Sequence, residues 1–224
     1  MSFLDELKRQ ASDLQAAKSI DQNALARNTA LAEAAATEAS RYLLELAKQL
    51  DVIRPVPKAT YQFDSKTRIE GLPMQKFRFD SRRKRVRDLD LTDYINFGCV
   101  IRGLDTVVLK KNFVPDIEKL EARLWQSGTT VQAEPVRDPQ SGRLIEMKYE
   151  FTPEVWVGLK IVPNHELGLL RFRMNNIDGL ETVECEFAPH EVGQRRLDEL
   201  ARWWLGHPHQ FLDRASDVRR VEPR

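Results

Sequence analysis

The first quarter of the chain carries one apolar seam, and this limits what the rest can fold into. Leu4, Leu7, Ala11, Leu14, Leu25, Thr29, Ala32, Ala36, Ala39, Leu43, Leu46, Leu50 and Ile53 recur at intervals of three and four residues, interrupted only by Lys18 and Asp21. Such a stripe belongs to helix and is stable only when another helix or a sheet covers it. Pro55 and Pro57 stop the helix, because proline lacks the backbone donor and disfavours a helical residue before it. The break at Lys18 to Asp21, with cap-competent Ser19 and Asp21, is read either as a turn between two helices or as a polar stutter in one rod. Ser2 and Asp5 suit the first helical turn.

The centre of the seam is small (Thr29, Ala32, Ala36, Ala39) and its end is bulky (Leu43, Leu46, Leu50). Small residues admit a close partner and leucines a more distant one. Two partners fit: a second copy of the chain, making Leu25 to Leu50 an oligomerisation surface, or the chain's own sheet. In the first case Ala36→Trp or Ala39→Arg would dissociate the assembly and leave the sheet folded.

After Pro57 the texture changes to strands. Lys58 to Asp64 and Met74 to Phe79 alternate, and Ile95, Phe97, Cys99 and Ile101 share one face at period two. Pro115 opens a helix over 115–127 that Gly128 closes. Asp138 to Gly142 is a turn between two strands. Val155 to Val162 is apolar on both faces and reads as a central strand. Leu167 to Met174 and Glu181 to Phe187 form a hairpin in which Phe172 faces Val183, Leu170 faces Cys185 and Arg171 faces Glu184. A last helix spans 189–205, with Trp203 off its apolar stripe, either at a subunit contact or against a loop. Gly158 and Gly168 are placed inside strands, where glycine marks a bulge or close packing. The fold class is therefore α+β: a helical arm (1–54), a mainly antiparallel sheet domain of seven to nine strands with two covering helices (58–206), and a frayed polar tail (213–224).

Composition adds bounds. Acids and bases nearly cancel, at a net charge of +1, so only local clusters speak for a charged partner. The sharpest is Arg82, Arg83, Lys84, Arg85 and Arg87, preceded by Lys76 and Arg78. It reads as an arginine-rich hairpin turn that binds phosphate or nucleic acid, meets an acidic protein, or is simply solvated. Cys99 and Cys185 read as buried thiols. No apolar run approaches the roughly 20 residues of a membrane span, and the N-terminal acids do not resemble a signal segment; the expectation is a soluble, cytoplasmic protein.

Catalytic chemistry finds little purchase. Asp138, Glu146 and Lys148 form a poor version of a metal-nuclease layout. His207 and His209 flank Pro208 and read as a helix-end turn rather than a zinc site. No nucleophile elbow or phosphate-binding glycine loop is present, and no cofactor or metal is assigned. The expected function is a non-catalytic, homo-oligomeric interaction protein, assembled through the seam and presenting the arginine-rich turn to an acidic partner. The alternatives are a nucleic-acid-binding protein using 76–87, and an enzyme with a site in the sheet domain.

Overall fold

The computed structural model describes residues 3–86 and 88–222. Helix α1 runs unbroken from Phe3–Ile53, about 75 Å at about 1.5 Å per residue. The polar residues at 18–21 are thus carried within one rod and make no turn. The Ser2 cap lies outside the described residues, as do the side chains of Asp5, Leu4, Leu7, Ala11, Leu14, Lys18 and Ser19.

Eleven strands follow among the described residues: β1 (Tyr61–Gln62), β2 (Arg68–Ile69), β3 (Met74–Val86), β4 (Leu89–Arg102), β5 (Val107–Lys111), β6 (Gln132–Arg137), β7 (Leu144–Phe151), β8 (Glu154–Asn164), β9 (Leu169–Asn175), β10 (Thr182–Phe187) and β11 (Ser216–Val221). Helix α2 (Val114–Ser127) lies between β5 and β6, and α3 (Gln194–Trp204) between β10 and β11. The main sheet is antiparallel, in the order β11-β10-β9-β8-β4-β3; β5-β7-β6 and β1-β2 form smaller sheets.

One face of the main sheet is the core. Ile95, Phe97 and Cys99 of β4, Val157, Leu159 and Ile161 of β8, Leu170 and Phe172 of β9, and Val183 and Cys185 of β10 are all buried. Two helices cover this face. Ala36, Ala39, Leu43 and Leu50 of α1 are buried in the same core, and Leu46 packs against it; Ala32 is buried as well. From Ala36 to Leu50 the seam's partner is therefore the chain's own sheet. Helix α3 adds Leu197, Leu200, Trp203 and Trp204, with Trp204 edge-on to Phe97 at 4.7 Å. The two helices are tied by Tyr42 Oη donating to Asp198 (2.7 Å) and by the Gln194 amide donating to Glu38 (3.1 Å). Glu38 thereby places a carboxylate at the N-terminus of α3, where the helix dipole favours it.

Several local expectations are corrected. Helix α2 packs against β5 and the end of β8, and donates from Arg123 to the Phe63 carbonyl (3.1 Å). The first expected strand shrinks to Tyr61–Gln62. The last helix starts at Gln194, after a single 3-10 turn at Pro189–Glu191. The β9–β10 register is offset by two residues: Phe172 faces Cys185, Leu170 faces Phe187 and Arg171 faces Glu186. The connecting loop causes this, because Asn176 adopts a left-handed conformation (φ 59°) and Ile177 is buried, which moves the turn on by a residue. Gly168 lies in the β8–β9 turn at φ 64°, not inside a strand. Trp203 is only 1% exposed: its indole donates to Asp178 (2.5 Å) and stacks on His209 at 4.9 Å, which removes it from any subunit contact. The tail is not frayed over 216–221, where β11 pairs with β10. Cys99 and Cys185 are free and buried, and burial pushes both thiols up to about 12.

A seam packed on its own sheet makes a definite prediction. Ala36→Leu overfills a closed contact and lowers stability by roughly 1–3 kcal/mol, read as a shift of the urea midpoint. Ala34→Leu, on the exposed side of α1, stays within about 0.5 kcal/mol. Equal midpoints for the two variants would contradict the packing described.

Candidate functional site

The basic cluster does not sit on a turn. Arg82, Arg83, Lys84 and Arg85 are strand residues of β3, paired with β4 all the way to Val86 and Leu89. Arg87 lies outside the described residues. The segment is thus a two-stranded ribbon whose acids stand opposite its bases. Arg83 Nε meets Asp90 at 2.7 Å, Lys84 Nζ meets Asp93 at 3.1 Å, Arg82 meets Asp93 at 4.0 Å and Arg85 meets Asp88 at 4.0 Å. Each exposed pair contributes only about 0–1 kcal/mol, yet together they consume much of the charge that the linear sequence displays. Phe77 and Phe79 pack on the core, and Phe77 lies 6.2 Å from Phe97, so neither offers a stacking surface.

The ribbon is clamped to α1 through Glu33. Its carboxylate accepts from the Thr92 amide (2.7 Å) and hydroxyl (3.1 Å), meets His165 Nε2 at 2.8 Å, and lies 3.5 Å from Arg83. Asn28 donates to the Glu166 carbonyl (2.9 Å) and Thr29 to the His165 carbonyl (3.5 Å). Thr29 thus holds the β8–β9 turn of its own chain. Next to this clamp is a cleft of about 600 Å³ walled by Leu25 and Ala26 of α1, Val86, Leu89 and Leu91 of the ribbon, and Val162 and Pro163 of β8. Leu25, Val86 and Leu89 remain exposed.

Helices α1 and α3 leave the opposite face of the main sheet open, and the C-cap of α2, Gly128, abuts the Trp156 Cβ at one end of it. Strand alternation places there Arg78, Asp80 and Arg82 of β3, Tyr94 and Asn96 of β4, Trp156 and Lys160 of β8, and Arg171 and Arg173 of β9. The run 155–162 is therefore a central strand but is not buried on both sides. This group holds five cations and Asp80, and the paired Arg102 and Glu154 (3.6 Å) share the face. Glu186 and Glu184 of β10 border it, with Arg171 at 2.7 Å from Glu186 and Arg173 at 3.6 Å from Glu184. Lys160 lies over the Tyr94 ring, 5.1 Å from its centroid. Trp156, 43% exposed, lies over Gly98 and Gly158, which face each other across β4 and β8.

The remaining candidates have structural employment. Asp138 accepts from the Gln140 (2.9 Å) and Ser141 (2.7 Å) amides, and these bonds hold its carboxyl below the usual range. Glu146 pairs with Lys110 (2.7 Å) and Lys148 with Glu150 (3.8 Å). His207 and His209 join no group of three potential metal ligands among the described residues. No described helix is long and apolar enough to cross a membrane. No family model, curated protein or solved structure matches the chain.

Burial holds the His209 imidazole below its ordinary value of 6.5. The folded state therefore favours the neutral ring, and the unfolded chain takes up the proton first as pH falls. Stability contributed above about pH 6.5 is lost on acidification below it. Urea midpoints at neutral and mildly acidic pH should fall less steeply in His209→Phe than in the parent; identical slopes would contradict this.

Proposed function

We propose that this chain is a non-catalytic interaction protein that holds an anionic partner on the bare face of its main sheet. The observation that carries this reading is the division of labour between the two faces. Helices α1 and α3 seal one, while Arg78, Arg82, Lys160, Arg171 and Arg173 collect on the other. This moves the cationic surface from the ribbon tip, where acids stand opposite the bases, to the middle of the sheet. Arg78 and Lys160 make no ion pair among the described residues, so they are free to meet an anion without first breaking one. Clustered cations on a neutral protein raise the local concentration of a polyanion and make its binding salt-sensitive.

The test is the salt concentration at which the full chain leaves a sulfated-polysaccharide column. Lys160→Glu with Arg173→Glu should elute markedly earlier, while Arg85→Glu at the ribbon tip should elute nearly with the parent. Unchanged elution of the double variant would overturn the reading.

A second reading rests on the cleft. Leu25, Val86 and Leu89 are exposed around one apolar hollow, and apolar side chains grouped in this way mark contact sites. We infer from them self-association through this hollow, in place of the buried seam. Light scattering at micromolar concentration should then give an oligomer that Leu89→Asp dissociates. A parent that scatters as a monomer would sink this second reading.

A further inference from the structure

The centre of the same face adds a chemistry to its charge. Gly98 and Gly158 form a directly opposed pair in two central strands. Glycine in a strand interior weakens it relative to alanine. What the pair makes room for is an indole. A Cβ at Gly158 would stand 1.9 Å from Cη2 and 2.1 Å from Cζ3 of Trp156, and one at Gly98 3.1 Å from its Cζ2. The backbone of Trp156 is anchored as well, its carbonyl accepting from Asn176 Nδ2 (2.8 Å). The ring is thus seated in a two-glycine cradle and still 43% exposed.

Cations flank it at sheet spacing. Arg78 pairs with Gly98, so it lies on one side of the ring. Lys160 is two residues beyond Gly158 on the same strand face, with Arg173 beside it across the β8–β9 ladder. We propose that this platform binds single-stranded nucleic acid, with a base stacked on Trp156 and neighbouring phosphates on Arg78, Lys160 and Arg173. The proposal rests on the anionic-partner reading and narrows it. An acidic protein segment would use the cations but gain nothing specific from an indole face. Bases stack on it whatever their sequence, and only unpaired bases can reach it.

The test is anisotropy of a labelled oligothymidylate titrated with the full chain at low and high salt. Binding is expected to weaken with salt. It should fall about 5- to 100-fold in Trp156→Ala, the range for loss of one stacked base, and recover in part in Trp156→Phe. Trp125→Ala, which removes an indole that is 81% exposed on α2, should bind as the parent does. A duplex of the same length and polyglutamate are the competitors. If polyglutamate or duplex competes as well as the single strand, or if Trp156→Phe and Trp156→Ala, both melting as the parent does, bind like the parent, the nucleic-acid inference is overturned while the anionic-partner reading stands. If the charge reversals leave both column retention and oligonucleotide binding unchanged, both fall.

Discussion

The contact between the alanine face of α1 and the main sheet is the constraint on which the rest depends. Five buried alanines, Ala32, Ala35, Ala36, Ala39 and Ala47, let the helix lie close over β3, β4 and β8. Such an approach is possible only where neither side projects long side chains from both surfaces. The helix is then fixed in rotation and height by Glu33, whose carboxylate holds the Thr92 amide, the Thr92 hydroxyl and His165 together. A partly buried carboxylate in such a place must be fully hydrogen-bonded, or its desolvation would outweigh what it gains. Once α1 and α3 occupy one face, the other is met by helix only where the end of α2 reaches β8.

Much of this was legible in the residues. The seam, its proline stop, the glycine-capped helix at 115–127 and the strand of Ile95, Phe97, Cys99 and Ile101 all follow from spacing alone. The identity of the seam's partner does not, because an alanine stripe reads the same whether a helix or a sheet lies against it. The ribbon was hidden by its own composition. Arginine, lysine and aspartate suggest a solvated turn, yet cross-strand pairing of opposite charges lets the same residues extend a hairpin. The β9–β10 register is not legible from spacing, because a loop containing a left-handed Asn176 and a buried Ile177 breaks the simple turn count. Strand β11 was hidden in a polar tail, where Arg219 and Arg220 stand opposite Glu184 and Val183.

Trp156 is the site residue that periodicity passed over. An apolar strand reading absorbed it into a core on both sides. The signal available was the glycine two residues on, together with a second glycine, Gly98, in a neighbouring strand-like run. Two small residues and one large one on the same side of two strands indicate a ring laid over backbone. Only the β4–β8 register brings Gly98 and Gly158 into opposition, and a single sequence does not supply that register.

The face assignment is tested most directly by residue-resolved NMR of the full chain titrated with a single-stranded oligothymidylate. Amide shifts should move along the outer positions of β3, β4, β8 and β9, and the Trp156 indole resonance should move with them. Those of Trp203, bonded to Asp178, and of buried Trp204 should stay in place. Shifts confined to α1 and the ribbon tip, with Trp156 unmoved, would contradict the account.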